Sequence, residues 1–374
     1  MALYIGVMSG TSLDGVDAVL VDFDPASGPH ARVALLAHRH RPFAPALRSE
    51  LLELNAAGDN ELHRAELAAN ALALSYAEIV LDVLAASGTS AREVLAIGAH
   101  GQTVRHRPGG FDGTGYTTQL LNGALLAELC GIDVICDFRR RDVAAGGQGA
   151  PLAPGLHASL FASASEARAV LNLGGIANLT LLGKNGSTTG FDCGPASCLL
   201  DAWCLRHQGQ AFDDEGRWAA SGTVIEPLLA AWLGEPYFHL PPPKSTGRDL
   251  FNLPWLEAYL ARVASSAAPV DVQATLAALT VRSIAADLRL HAPSTSLLLV
   301  CGGGAHNSHL MRGLATALPS LRVTTTAEFG LPVDQVEGAA FAWLAHRFVA
   351  RRSGNIASVT GARGERILGA LYPA

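Results

Sequence analysis

The apolar and polar positions at the start of the chain form two short apolar runs around a polar middle. Leu3–Met8 and Val16–Phe23 are aliphatic and partly β-branched, and Ser9–Gly15 between them ends in Asp-Gly. That order predicts a strand, a turn and a second strand. Helical spacing follows over Pro45–Ala57 and, at greater length, over Glu61–Ala86. In the second stretch Leu62, Ala65, Ala69, Leu72, Tyr76, Ile79 and Val83 fall on one face, and Gly88 supplies a stop. Val94–Ala99 predicts a strand, His100-Gly101-Gln102 a polar loop, Tyr116–Leu121 a strand, Asn122–Cys130 a helix and Asp133–Cys136 a buried strand. Asp137 to Gly155, rich in Arg and Gly, predicts a long loop, and loops of that length are usually functional or hinges.

The same grammar then restarts. Ala169–Leu173, the turn Gly174–Asn178 and Leu179–Leu182 repeat the order of strand, glycine turn and strand. Ala196–Arg206, Leu253–Val263 and Val272–His291 predict helices. Leu297–Cys301 predicts a strand running into Gly302-Gly303-Gly304, His306–Leu318 a helix, Leu321–Thr324 a short strand and Gln335–Ala350 an Ala-rich helix. The repetition suggests a duplicated α/β architecture. Its first domain is expected over 1–136, with the C-terminal helix packing back onto it, and its second over 137–374.

Composition narrows the class. A hydrophobic share of 49% against 16% charged residues in 374 supplies a sizeable core and excludes global disorder. The formal charge of −6 gives no electrostatic reason to bind nucleic acid or an anionic membrane. No apolar run approaches the roughly 18 residues of a membrane span, and Met1–Gly10 lacks a basic leader region. Cys130, Cys136, Cys193, Cys198, Cys204 and Cys301 show no zinc-site spacing and read as buried thiols of a cytoplasmic protein. The 39 glycines exceed the usual share of about 7% and fall in short clusters, which suggests tight turns and close backbone approach to a ligand.

Five clusters could carry chemistry. Gly10-Thr11-Ser12-Leu13-Asp14-Gly15-Val16-Asp17 is no Walker loop, since no Gly-Lys-Ser/Thr closes it, and no dinucleotide fingerprint, since a strand follows. It reads either as a phosphate-binding hairpin with acidic residues for a hydrated Mg²⁺ or as an ordinary polar turn. Asn172–Asn178, with Gly174 and Gly175, has the same form and the same two readings. Gly302, Gly303 and Gly304 put bare backbone before a helix, suited either to an anion or nucleobase or to close helix–strand packing. His306 beside them reads as a capping or solvated residue rather than a ligand. Asp192, in Gly190-Phe191-Asp192-Cys193-Gly194-Pro195, is either a general base at a strand end or a helix cap. Asp137–Asp142 and Gly146–Gly149 pair arginine forks with a glycine loop, to read an anion or to stay solvated. Lys244-Ser245-Thr246-Gly247-Arg248-Asp249 follows three prolines, and its role is left open.

Taken in order, these motifs resemble the 1,6-anhydro-N-acetylmuramic acid kinase family of bacterial cell-wall recycling. The resemblance runs from Met8–Asp17 through His100–Thr103, Asp137–Asp142, Gly146–Pro151, Phe191–Pro195, Lys244–Arg248 and Gly302–Gly304 to Val336–Leu344. It implies two related actin/hexokinase-like domains flanking an ATP cleft. It implies a kinase that uses ATP and Mg²⁺ to phosphorylate O6 of the anhydro sugar while water opens the 1,6-anhydro ring. Its partners would then be the amino sugar and the nucleotide, with no nucleic acid or membrane and with a homodimer as the candidate assembly. Carried over by position, Gly10–Asp17 is the ATP phosphate loop, with Gly174, Gly175 and Gly302–Gly304 on the nucleotide. Asp192 is the base that activates water, Glu337 is grouped with it, and Arg140, Gln102 and Gln148 lie at the sugar. No side chain is assigned to hold the metal directly. One departure is Ala196-Ser197 after Pro195, where the family commonly has Gly and Asn, so the turn there is expected to differ slightly. An ordinary sugar kinase of the same superfamily and a nucleotide-gated switch protein are the competing readings.

Overall fold

The computed structural model describes residues 1–10, 13–23 and 33–374. They form two compact units, one of Met1–Leu160 with Gln335–Ala374 and one of Phe161–Asp334.

Unit 1 opens with β1 (Leu3–Met8), β2 (Gly15–Phe23) and β3 (Val33–Pro42), paired antiparallel in sequence. After α1 (Pro45–Glu53) and α2 (Glu61–Ser87) comes β4 (Val94–Ala99), parallel to β1. A separate hairpin of β5 (Gln102–Pro108) and β6 (Gly115–Leu120) precedes α3 (Gly123–Cys130), β7 (Val134–Cys136), α4 (Arg140–Ala144) and α5 (Pro154–Phe161). Unit 2 repeats the plan. β8 (Ala167–Leu173), β9 (Ile176–Leu182) and β10 (Thr188–Pro195) form the meander. Then come α6 (Ser197–Gln208), α7 (Arg217–Ser221), α8 (Glu226–Leu233), α9 (Leu253–Val263), α10 (Pro269–His291), β11 (Thr295–Cys301), α11 (Ser308–Ala317) and β12 (Arg322–Thr325). The chain returns to unit 1 for α12 (Val336–Val349), α13 (Ala357–Thr360) and β13 (Ala370–Tyr372).

The sheets run β13-β7-β4-β1-β2-β3 and β10-β9-β8-β11-β12. Within each, a three-stranded antiparallel meander is extended from its first strand by two parallel strands, and in the first sheet β13 then adds antiparallel to β7. The duplication expected from the glycine hairpins is therefore present, as two α/β units of like strand order.

The observed division differs from the expected one after residue 136. Asp142, fully buried in α4, accepts hydrogen bonds from the Gly149 amide (2.8 Å), Asn355 Nδ2 (2.7 Å) and Thr360 Oγ1 (2.8 Å). Those bonds tie the 137–155 segment, itself partly helical, to the C-terminal part of unit 1.

α2 keeps most of its expected face: Ala69, Leu72, Tyr76, Ile79 and Val83 are buried. Leu62, in the first turn, is 86% exposed and falls outside that face. By length and composition α2 would pass as a membrane span, contrary to the sequence expectation, yet here its apolar face lies in the unit 1 core. α10 is buried over most of its length, and Gln273, Thr275, Thr280, Ser283 and Asp287 are among its buried residues.

α12 lies on β1, β2 and β4 at backbone distance. A Cβ on Gly6 would stand 2.6 Å from the Ala342 nitrogen and clash with the Gly338 carbonyl, and one on Gly98 would stand 2.7 Å from the Phe341 carbonyl carbon. Only glycine allows this approach, and it fixes the helix that carries Glu337. We therefore expect Gly6→Ala to cost about 1–3 kcal/mol, the range for overpacking a tight core. A lowered urea midpoint with unchanged slope would show it; an unchanged midpoint would mean that α12 can retreat freely.

Candidate active site

The carboxylate of Asp192 is held by three stretches of unit 2. It sits on β10 opposite Asn178 of β9, and the ladder slips at the next residue, so that Gly194 and not Cys193 faces Ala177. Such a bulge twists the strand and re-aims the side chain beside it. Gly194 takes φ +139, and a Cβ there would stand 2.6 Å from the Phe238 ring. Ser245 Oγ and the Thr246 amide each donate to Asp192 Oδ2 at 3.0 Å. The Asp192 amide donates to the Lys244 carbonyl (3.0 Å), and Tyr237 donates its hydroxyl to the Asp192 carbonyl (2.8 Å). Among the described residues no hydrogen bond reaches Oδ1. Burial pushes the Asp192 carboxyl above the usual carboxylate range, against the pull of the Thr246 and Ser245 donors and the Lys244 charge.

Asp192 is not a helix cap. The N-terminal amides of α6 go elsewhere: Ala196 and Cys198 donate to the Gly175 carbonyl (3.0 and 3.1 Å) and Ser197 to the Gly174 carbonyl (3.0 Å). Gly174 and Gly175 thus anchor α6 through their carbonyls. Ala196 adopts φ −119, so its side chain meets no positive-φ strain. Arg248 reaches this turn, with a guanidinium nitrogen 3.9 Å from where a Gly175 Cβ would stand. Sequence reasoning passed over that cation, although it lies in the very segment left open.

Gly302–Gly304 belong to the same neighbourhood. A Cβ on Gly302 would run into Asn172 Oδ1, and one on Gly304 would stand 2.6 Å from Leu173 Cβ, so both close against the end of β8. Gly303 is different, because nothing lies within 4 Å of a Cβ there. A 3₁₀ turn, Gly303–His306, separates the glycines from α11, whose cap is Asn307, accepting from the His309 and Leu310 amides (3.1 and 3.0 Å). The helix therefore begins later than expected. His306 is exposed and pairs with Asp334 at 2.7 Å.

In unit 1, Thr11 and Ser12 lie outside the described residues. Of the rest of that loop, Leu13 and Val16 are buried in the core, so only their backbone faces outward chemistry. Leu13 takes φ +56, and its amide donates to the Gly10 carbonyl at 3.3 Å. Asp14 is exposed, and its Oδ1 accepts from the Gly15 amide at 3.0 Å. Asp17 Oδ1 is shared by His38 Nε2 (3.0 Å) and His40 Nδ1 (3.1 Å). Gln102 is buried and donates to the Gly10 carbonyl at 3.1 Å, joining a sugar candidate to the candidate phosphate loop. Among the described residues its buried Oε1 has no hydrogen-bond partner.

Arg139 and Arg140 diverge. Arg139 donates to His100 Nε2 (2.9 and 3.1 Å) and to the Gly149 carbonyl (2.8 Å). Burial lowers its guanidinium to about 10, while Glu337 and Asp142 pull the other way. Arg140 is exposed, bonded to the Thr117 carbonyl (3.3 Å) and 3.7 Å from Asp137. Gln148 is exposed, its amide fixed to the Thr360 carbonyl (2.7 Å), and Glu337 is exposed in the first turn of α12. Among the described residues no group of three His, Cys, Asp or Glu side chains converges as a metal cage.

The family described as "Anhydro-N-acetylmuramic acid kinase" matches residues 2–374. Relatives carrying that name include one from Cupriavidus pinatubonensis, 59% identical over 372 residues, 99% of this chain and 98% of its own. One from Variovorax paradoxus is 57% identical over 377 residues, 100% of this chain and 99% of its own. One from Ralstonia nicotianae is 55% identical over 376 residues, 99% of this chain and 97% of its own.

Two histidines of unit 1 are kept neutral. Burial and the Arg139 charge hold His100 well below its ordinary value, and burial with Arg139 and Arg107 brings His106 down to about 4. In the unfolded chain both take up protons near pH 6.5. Their contribution to stability is therefore complete above about pH 6.5 and is lost as the pH falls toward 4. In His106→Gln, which retains a polar partner for Thr117, the stability lost between pH 7 and pH 5 should be smaller than in the wild type by about 1 kcal/mol. Parallel urea titrations read this directly; identical losses would mean that His106 is already solvated.

Proposed function

The chain belongs to the anhydro-N-acetylmuramic acid kinase family, which acts in peptidoglycan recycling, and from that premise we propose how its residues carry out the reaction. The chemistry is ATP-dependent phosphorylation at O6 of 1,6-anhydro-N-acetylmuramic acid, coupled to hydrolysis of the anhydro bridge. O6 in this sugar is bonded to C1 and carries no hydroxyl proton, so a base has nothing to remove from it. The base must act on water. Asp192 takes a proton from water as the water oxygen bonds to C1. The C1–O6 bond breaks with its electron pair on O6, and O6 bonds to the γ-phosphorus as the bond to ADP breaks. The products are N-acetylmuramic acid 6-phosphate and ADP, and Asp192 returns its proton to solvent.

The observation that carries this reading is the state of Asp192. One carboxylate oxygen is fixed by two donors, the other accepts none among the described residues, and burial makes the group more basic. In unit 2, the backbone at Gly303 and the Arg248 guanidinium suit an anionic nucleotide. In unit 1, the backbone of the Gly10–Asp17 loop does the same, and Gln102 Oε1 accepts from a sugar hydroxyl. Arg140, exposed, meets the lactyl carboxylate, with Gln148 and Glu337 completing the polar set. Mg²⁺, when it arrives with ATP, neutralises phosphate charge. Asp14, exposed at the loop, is suited to a hydrated ion, whereas Asp17 is already shared by two histidines. Six buried thiols, none in a disulfide, favour a reducing, cytoplasmic setting.

Asp192→Asn keeps the shape and removes the basicity. We expect calorimetric affinities for ATP and sugar within about threefold of the wild type and kcat lowered at least about 100-fold, the low end for a general base. Turnover within tenfold of the wild type would assign the base elsewhere. Gly303→Val should leave the melting temperature nearly unchanged, because no protein atom lies within 4 Å of a Cβ there. It should weaken ATP at least about tenfold by occupying the ligand's space; unaltered ATP affinity would remove Gly303 from the nucleotide site.

A further inference from the structure

Lys244 is an unusual lysine. It is 6% exposed, and its ammonium lies 3.0 Å from Asp287 Oδ1 of α10, 5.4 Å from the centre of the Tyr237 ring and 5.7 Å from that of Phe191. A buried pair of this kind is often no more stabilising than two well-packed apolar side chains, because desolvation offsets the attraction. Its main chain, however, does something specific. The Lys244 carbonyl accepts from the Asp192 amide, and the two residues that follow supply both donors to Asp192 Oδ2. Tyr237, one wall of the lysine slot, donates to the Asp192 carbonyl. Every protein hydrogen bond found on Asp192 outside its ladder thus starts from the lysine slot or from the strap the lysine anchors.

We propose that the Lys244–Asp287 pair is a positioning device, which pins the Lys244–Thr246 strap so that Asp192 stays oriented and ionised in a desolvated place. This rests on the reading of Asp192 as the base. The charged and titratable groups around that carboxylate are Lys244 from the strap, Cys193 from its own strand, Tyr237 from a 3₁₀ turn over Pro236–His239, and Asp287 with His291 from α10; Asn178 opposite on β9 is neutral. His291 stands 3.8 Å from Asp287 Oδ1. Lys244 is the only permanent cation in this set. Its loss frees the strap and removes the charge that opposes the desolvation of Asp192.

The test is the double variant Lys244→Met with Asp287→Leu, which replaces the pair by apolar side chains of similar size, measured beside Asp192→Asn. The expected result is a folded protein with KM for sugar and ATP within about threefold and kcat at neutral pH lowered about tenfold or more, part of the worth of a general base. The acid limb of the kcat profile should move up by about one pH unit, the lower end of a nearby opposite charge's effect. A folded variant with wild-type kcat, or a fall in kcat with an unmoved acid limb, overturns the proposal. Failure of the variant to fold overturns it too, since the pair would then serve stability. Asp192→Asn separates the levels. If that variant turns over normally, the base reading falls and the proposal with it; if it is inactive while the double variant behaves as wild type, only the positioning role falls.

Discussion

A carboxylate that takes a proton from water must be shielded from solvent, and it must nevertheless remain ionised. These demands oppose each other, since desolvation favours the neutral acid. In the proposed role, unit 2 meets both at Asp192. The bulge at Cys193 lets the side chain leave the regular ladder, and the strap at Lys244–Thr246 returns two hydrogen bonds to a single oxygen. Three distant stretches converge for this: the end of β10, the segment from Tyr237 to Thr246, and α10 through Asp287. The glycine turns nearby follow from the same arrangement, for α6 can start directly after β10 only because Gly174 and Gly175 offer their carbonyls to its first amides.

Unit 1 uses glycine for a different end. Gly6 and Gly98 bring the α12 backbone against β1 and β4, so that a helix from the C-terminal part of unit 1 packs directly on the first sheet. Asp142 then fastens the arginine and glycine segment to Asn355 and Thr360. The two units share a strand order, yet in the proposed reaction one supplies the base, the half-buried Asp192, and the other the polar groups for the sugar.

Much of this was legible in the sequence. α9 and β4 fall on their predicted bounds and α2 extends its own by one residue, because period and caps agree there. Asp192 stood out between glycines at a strand end, and the structure excludes its capping alternative. β3 escaped because Val33–Pro42 is a half-exposed strand whose second half is His and Arg, with no apolar alternation to read. β5 was hidden by the same kind of residues. Gly302–Gly304 pointed to a helix start, but the 3₁₀ turn that intervenes depends on packing against β8. The role of Lys244 could not be seen locally, because its partner Asp287 lies 43 residues further along and the prolines before it mask any periodicity. Arg139 and Arg140 are adjacent and chemically alike, and only the tertiary structure buries the first against His100 and exposes the second.

In the proposed reaction water reaches the anomeric carbon while O6 takes the phosphoryl group. A single turnover in ¹⁸O-water, quenched before the free anomeric hydroxyl can exchange and read by mass spectrometry, separates this course from simple phosphoryl transfer. One ¹⁸O at C1 of the 6-phosphate and none in the phosphoryl group is the expected result. A 6-phosphate without label at C1, or label found in the phosphate, rules this course out.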